Sequence, residues 1–311
     1  MEKNRFNKIT LIYFIFCLIL LTVIYKSYYK GISTPRSDGI YYYSVTASIL
    51  WDGDLDLKNQ YDHHLPYAPG NTATNKNYYT DKNTGKAFAL FNPGTGLLML
   101  PTALVGRIVN YLKGSKHKDP FDPYFQFYSG FAAVVVTSLS FLLLLLILKE
   151  FYPLKIAVCV PFLFFFGSNW LFYFMVYPNW SHIYSLFCNI TLVWVFIHLL
   201  KKNNYRFAAL FGFIGGVSFC TRNFNLFILI LLGLIYVKHL LKKKEIIFKK
   251  KILILGLAAL FSTAGALPQF MLKQVQHGNI LASSYKAAQE SEGAPRFIKD
   301  EKWVEGMVFP N

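Results

Sequence analysis

Two uncharged apolar blocks constrain this chain more than any other feature. "ITLIYFIFCLILLTVIY" (Ile9–Tyr25) and "FQFYSGFAAVVVTSLSFLLLLLIL" (Phe125–Leu148) contain no Asp, Glu, Lys or Arg. Roughly 17 to 25 such residues are enough to cross a bilayer as a helix. Lipid offers no partner to a free N–H or C=O, so the backbone must satisfy itself inside a helix. The whole chain is 54% hydrophobic with a mean hydropathy of +0.34, more apolar than a soluble domain of its 311 residues. These features predict an all-α polytopic membrane protein. A signal peptide is the competing reading of the first block, because the basic stretch "MEKNRFNK" precedes it. The block is longer than a usual signal core and no small-x-small cleavage site follows. Cys17, Cys159, Cys188 and Cys220 all lie in apolar blocks. They therefore imply neither a disulfide framework nor a metal site.

Hydropathy predicts seven spans, near 9–25, 125–148, 156–176, 182–200, 206–221, 224–241 and 252–272. The fifth contains "GFIGG", whose small residues suit close helix packing. Basic residues orient the set. With the N-terminus inside, segments 1–8, 149–155, 201–205 and 242–251 are inside and hold Lys3, Arg5, Lys8, Lys149, Lys155, Lys201, Lys202, Lys242 to Lys244 and Lys249 to Lys251. The short loops on the other side hold only Arg222. This asymmetry follows the positive-inside rule. The formal charge of +16 and the pI near 9.5 are thus explained by anionic lipid at the inner face. A nucleic-acid partner is not implied, because the lysines sit at span ends and form no folded basic domain. "AFALFNPGTGLLMLPTALVGRIVNYL" (Ala87–Leu112) is apolar enough for an eighth span, but crossing there would reverse every later loop. It is read as a helix on the outer surface.

A loop at 26–124 is therefore expected outside, and loops of that length are usually functional or disordered. Arg36–Asp62 holds five of the sixteen acidic residues, interleaved with aromatics. "GIYYYSVTASILWDG" has near-helical apolar spacing and predicts a surface helix, with Ser37 or Asp38 in position to cap it. Asp38 has two readings. It caps that helix, or, held partly desolvated at the bilayer surface, it takes a proton from a hydroxyl. Asp52, Asp54 and Asp56 in "WDGDLD" resemble the start of a calcium loop, but Leu57 and His63 stand where that loop needs Gly and Glu. The alternative is a turn closed by "DG". His63 and His64 read as solvated loop residues. His182 in "YPNWSHIYS" reads as an interfacial anchor or a site residue. Arg222 reads as snorkelling to lipid phosphate or as holding a phosphate at headgroup depth.

"SDGIYYYSVTASILWDGDLDL", "TGKAFALFNPGTGLLMLPTALVG", "WSHIYSLF", "GFIGGVSFCTRNFNLFILI" and "QFMLKQVQHGNIL" together resemble the GT-C membrane glycosyltransferases. The nearest likeness is to the bacterial branch that includes lipid A aminoarabinose transferase and the protein O-mannosyltransferases. The resemblance implies a single GT-C-like domain over 1–311, with a catalytic outer loop at 26–124 and an outer C-terminal segment at 273–311. The last segment leads toward further spans in longer relatives, so the chain reads as C-terminally incomplete. The implied activity is transfer of a sugar from a polyprenyl-phosphate donor to a lipid, glycan or protein hydroxyl. The implied location is the outer face of a bacterial inner (plasma) membrane, with a cytoplasmic N-terminus. The resemblance makes Asp38 the base on the acceptor and Arg222 the partner of the carrier phosphate. It makes Asp54, with Asp52 and His182, orient the loop or acceptor. It departs at Asn92, where relatives carry a lysine before proline, and leaves Lys86 as the remaining candidate for that phosphate contact. No cofactor is implied, and a divalent metal is not required. The competing functions are a transporter or flippase of lipid-linked sugars, a non-catalytic membrane assembly partner, and an inactive fragment.

Overall fold

The computed structural model describes residues 2–29, 35–64, 79–114 and 120–290. Apart from one antiparallel bridge between Thr80 and Ala87, the regular structure among them is helical. The protein is an all-α, multi-pass membrane protein. Helices α1 (Glu2–Tyr29), α5 (Pro123–Leu148), α8 (Ser181–Lys202), α10 (Asn225–Lys242) and α11 (Phe248–His277) are long and apolar enough to cross a membrane. Helix α9 (Tyr205–Thr221) is apolar but shorter. The span expected at 156–176 is broken into α6 (Leu154–Phe166) and α7 (Asn169–Val176), bent by 63°. The break is local chemistry: the Ser168 side chain accepts from the Trp170 amide and starts a new helix directly after Gly167.

Contacts between helix ends sort the elements onto two faces. Tyr25, near the end of α1, donates to the carbonyl of Phe127 at the start of α5, 3.0 Å away. Tyr29 donates to the carbonyl of Met175 at the end of α7. The segment from Tyr29 to Pro123 thus leaves and returns at one face, called here the loop face. At the opposite end, Lys201 and Glu150 pair at 2.5 Å, joining the ends of α8 and α5 on the lysine face.

Helix α4 (Gly94–Leu112) also has the length and apolarity of a span. Its contacts lay it along the loop face instead. A Cβ on Gly94 would stand 2.4 Å from the carbonyl of Cys220, at the end of α9. A Cβ on Gly106 would stand 2.8 Å from Tyr128 Cβ, at the start of α5. Both ends of α4 therefore touch span ends that share a face. Its inward side is Met99, Ala103, Gly106 and Asn110, at helical spacing, while Leu104, Val105, Ile108, Tyr111 and Leu112 remain exposed. Exposed apolar groups on a helix lying flat at this face suit the boundary between headgroups and acyl chains.

Helices α9 and α11 pack most closely, backbone against backbone at Gly212, Gly216 and Gly265. This is the role expected of the small residues in "GFIGG".

Candidate functional site

The loop face carries two more surface helices, α2 (Gly39–Ala47) and α3 (Lys58–His64). Helix α2 is nearly all buried, with Ile40, Tyr42, Tyr43, Val45 and Ala47 turned inward. It runs into a π-turn at Ser48–Asp52 that ends at Gly53, where φ is +71° and an L side chain would be strained. Thr46 Oγ1 ties α2 to α4 by donating to the Gly96 carbonyl at 2.9 Å.

Asp38 occupies the N-cap position of α2, yet its side chain makes no capping hydrogen bond. The backbone closes the helix start instead: the Gly39 and Ile40 amides donate to the Arg36 and Ser37 carbonyls at 2.9 and 3.0 Å. Trp180 Nε1 donates to the same Arg36 carbonyl at 3.0 Å and fixes the turn from outside. Ser37 takes φ +48°, a left-handed conformation that few non-glycine residues adopt and that gathers at functional sites. The Asp38 carboxylate is half-buried. Its pKa is pushed above the usual carboxylate value by desolvation, with the Ser37 hydroxyl and the charge of Arg222 pulling it back.

Arg222 stands at the end of α9 in extended backbone. It is close enough to act electrostatically on Asp38, but the two form no ion pair. One guanidinium nitrogen lies 2.9 Å from His182 Nδ1. A guanidinium only donates, so Nδ1 accepts and the ring proton stands on Nε2. The His182 ring is stacked on Tyr173 at 3.9 Å and 7° between planes, which holds it against Arg222. Below the histidine, between the α6–α7 bend and α8, lies a cleft of about 310 Å³ lined by Phe164, Trp170, Tyr173, Ile183 and Leu186 among others.

A polar brace supports the arginine from inside the helix bundle. Asn225 Oδ1 accepts from Ser185 and Asn189 at 2.9 and 3.0 Å. Its Nδ2 donates to the Ser218 carbonyl and Thr221 Oγ1 at 2.9 and 3.0 Å, and Ser218 Oγ donates to Asn189 Oδ1 at 2.9 Å. Asn92 adds a tie from the loop, donating to the Phe219 carbonyl at 3.0 Å and to Asn223 Oδ1 at 2.7 Å. Asn92 thus braces the segment around Arg222.

The other expected site residues are placed differently. Asp52 accepts from Asn59 and Gln60. Asp54 accepts from Ser48 Oγ at 2.8 Å and from the Asp56 amide. Asp56 accepts from the Lys58 and Ala87 amides. These carboxylates spend acceptors on the loop's own fold. Among the described residues, no group of three or more His, Cys, Asp or Glu is arranged to hold a metal. Lys86 lies in the turn that follows Asp81, and no hydrogen bond or ion pair joins its amine to Asp38, Arg222 or His182. The side chains of His63 and His64 and the greater part of the stretch 62–85 lie outside the described residues, as does 291–311.

Sequence reading singled out Asp38, Arg222 and His182, noted Asn92 only as a departure from the resemblance, and missed Asn225 and Tyr285. Asn225 had a signal, a polar residue inside an apolar block. Tyr285, on α12 (Ser284–Glu290), had none, yet its phenol lies within electrostatic reach of both Asp38 and Arg222. The site is thus a half-buried carboxylate and a guanidinium, held apart at one face of a helix bundle over a largely aromatic and aliphatic cleft. Such a pair can accept a proton from a hydroxyl and neutralise an anion in the same place. The chain matches no family model, no curated protein and no solved structure.

Proposed function

We propose that the protein is a glycosyltransferase that moves a sugar from a polyprenyl-phosphate donor to a hydroxyl of a lipid, glycan or protein acceptor. The observation that carries this reading is the approach of Asp38 to Arg222 without an ion pair between them. Removing water from a carboxylate and a guanidinium is costly, and a purely structural pair would recover the cost by contact. Keeping them apart leaves room for reacting groups. Asp38 takes the acceptor's proton while the acceptor oxygen bonds to the sugar's anomeric carbon. The bond from that carbon to the phosphate oxygen breaks, and the polyprenyl phosphate leaves with its charge against Arg222. The Nε2–H of His182 is a further donor in this neighbourhood. The cleft below it is lined mainly by aromatic and aliphatic side chains, with Ser168 and Asn169 at the bend, which suits a prenyl chain.

On this reading the loop face is the outer face of a bacterial plasma membrane and the lysines are cytoplasmic. The transporter alternative draws on polar groups inside the spans, but Ser185, Asn189, Ser218 and Asn225 are spent on one another.

The test is transfer from radiolabelled polyprenyl-phosphate sugars, offered as a panel, to membranes containing the protein. Asp38→Asn and Arg222→Ala should each lower incorporation at least ~100-fold, the scale of one acid–base or oxyanion contact, with membrane insertion intact. Normal transfer by Asp38→Asn would remove the carboxylate from its role. Cytosolic labelling of a Ser37→Cys variant would place the site on the wrong side.

A further inference from the structure

The chemistry left over lies behind the site, where the end of α11 meets the loop. Asp81 Oδ2 is 2.7 Å from His277 Nδ1, and His277 Nε2 is 3.2 Å from Ser284 Oγ. Lys273 donates to the same Ser284 Oγ. All four side chains are buried. The carboxylate accepts from the ring N–H, the ring's other nitrogen accepts the serine proton, and the ammonium donates to the serine oxygen. Asp81 also accepts from the Asn83 and Thr84 amides at 2.9 and 3.1 Å. Burial raises its pKa, but the hydrogen bonds from His277 and these two amides outweigh it, so the pKa is lowered and the residue stays ionised. The arrangement has the order of a nucleophilic triad. With Lys273 occupying the serine oxygen, the chain of bonds acts as a joint.

What it joins decides its meaning. Gln276 is part of the same seam, donating to the Leu55 carbonyl at 2.9 Å and accepting from the Ala89 amide at 3.1 Å. Ser284 is the first residue of α12. Helix α12 packs Ala288 against Tyr79, Phe88 and Leu90, and its Tyr285 against that cluster and the Phe91 ring. The residue next to the clamped serine is therefore the one that reaches the site. Tyr42, on α2, lies in the same neighbourhood, within electrostatic reach of Asp38, Arg222 and Tyr285.

We propose that the buried Asp81–His277–Ser284–Lys273 chain clamps α12 over the site, so that the Tyr285 hydroxyl completes the Asp38–Arg222 pair and donates to the carrier's phosphate. The proposal rests on the transferase reading for its ligand and on the observed joint for its mechanism. Burial and the nearby Asp38 charge raise the phenol's pKa, so it keeps its proton at neutral pH and is available as a donor. Tyr285 has no hydrogen-bond acceptor of its own among the described residues. A phosphate oxygen held by Arg222 would supply one.

The experiment measures binding of decaprenyl phosphate to the full chain in detergent micelles. Tyr285→Phe removes one oxygen and should weaken binding roughly tenfold or more, the worth of one hydrogen bond to a charged group, without lowering the unfolding temperature. Ser284→Ala should weaken binding as well. Because it acts through Tyr285, the double variant should bind no more weakly than the worse single one. Additive losses, or unchanged binding by Tyr285→Phe where Arg222→Ala weakens it, would overturn the clamp and leave the transferase reading standing. Unchanged binding by both Tyr285→Phe and Arg222→Ala would overturn the two together. Inorganic phosphate is the second arm: binding as tight as that of decaprenyl phosphate would make this a free-phosphate site and defeat the inference.

Discussion

The tight glycine contacts between α9 and α11 give the sharpest stability prediction. On α9, a Cβ on Gly216 would lie 2.1 Å from the Ser262 carbonyl oxygen of α11, and one on Gly212 2.0 Å from that of Ala258. The neighbours are backbone, so no side chain can swing aside. Restoring an ordinary 3.4 Å contact at Gly216 requires the helices to part by about 1.3 Å. A gap of 0.5 to 1 Å already forfeits roughly a quarter to a half of the dispersion between facing atoms. Overpacking of this kind costs about 1–3 kcal/mol, and the backbone clash puts Gly216→Ala at the upper end. Ala gains about 1 kcal/mol over Gly in helix propensity, leaving a net loss of about 2 kcal/mol. Gly233 and Gly256 are controls on the neighbouring α10 and on α11 itself. A Cβ at either meets nothing within 4 Å, so Ala there keeps the propensity gain and loses nothing.

The assay is thermal unfolding of the purified chain in one detergent, followed by loss of the monodisperse species. At roughly 2–4 °C per kcal/mol, Gly216→Ala should unfold about 4–8 °C earlier, while Gly233→Ala and Gly256→Ala should match or slightly exceed the parent. The functional consequence follows from what the two helices carry. Arg222 ends α9, and Lys273 and His277 lie near the end of α11, so parting the pair moves one side of the site against the other. If Gly216→Ala and Gly233→Ala shift the transition equally, the close α9–α11 crossing is wrong, and with it the position of Arg222.

The remaining predictions concern the site itself. Asp38 must be ionised to act as a base, and desolvation raises its pKa while Arg222 lowers it. The acid limb of transfer should therefore lie above the usual carboxylate range, and in residual activity Arg222→Gln should move it to still higher pH; a shift to lower pH would contradict the assignment. Asn225→Leu strands Ser185 and Asn189 without their acceptor, so it should lower stability by about 1–3 kcal/mol and weaken transfer by loosening the segment that carries Arg222. Unfolding and transfer equal to the parent's would show that the brace does not support the arginine.

How much of this was legible in the sequence depends on which force did the writing. Hydrocarbon wrote the spans: a run such as Phe125–Leu148 has one stable arrangement in lipid, and the sequence reading placed it within two residues of α5. The same reading laid Ala87–Leu112 on or into the membrane face from loop charge and from its Asn, Pro and Gly content, and the contacts of Gly94 and Gly106 agree with a place at one face. The α6–α7 break was missed because mean hydropathy does not register one capping hydroxyl at Ser168. Asp38, His182 and Arg222 stood out as polar groups near span ends, but nothing local said that the Asp38 side chain declines the cap it is placed to make. Tyr285 was invisible, since its approach to Asp38 depends on a joint between Asp81 and His277 that only the folded chain forms.

The depth of the site follows from the shortness of α9. Helix α9 has 17 residues, about 26 Å of rise, against roughly 30 Å of hydrocarbon. A helix of that length either thins the bilayer or ends below its surface. Ending below it would be ruinous for a bare arginine. Here Arg222 has His182 for a partner, the Asn225 brace beneath it, and α4 beginning against Cys220, so that protein rather than lipid covers the helix end. A guanidinium held at that level meets a lipid phosphate without drawing it out into water. On the proposed transferase reading, a prenyl chain would then lie in the cleft while the group attached to the phosphate faced Asp38. The short helix, the surface helix laid across its end and the unpaired carboxylate are thus three parts of one arrangement. Lengthening α9 by one turn should uncouple them: the chain would still insert, but Arg222 would rise by about 5 Å, and both carrier binding and transfer should be lost.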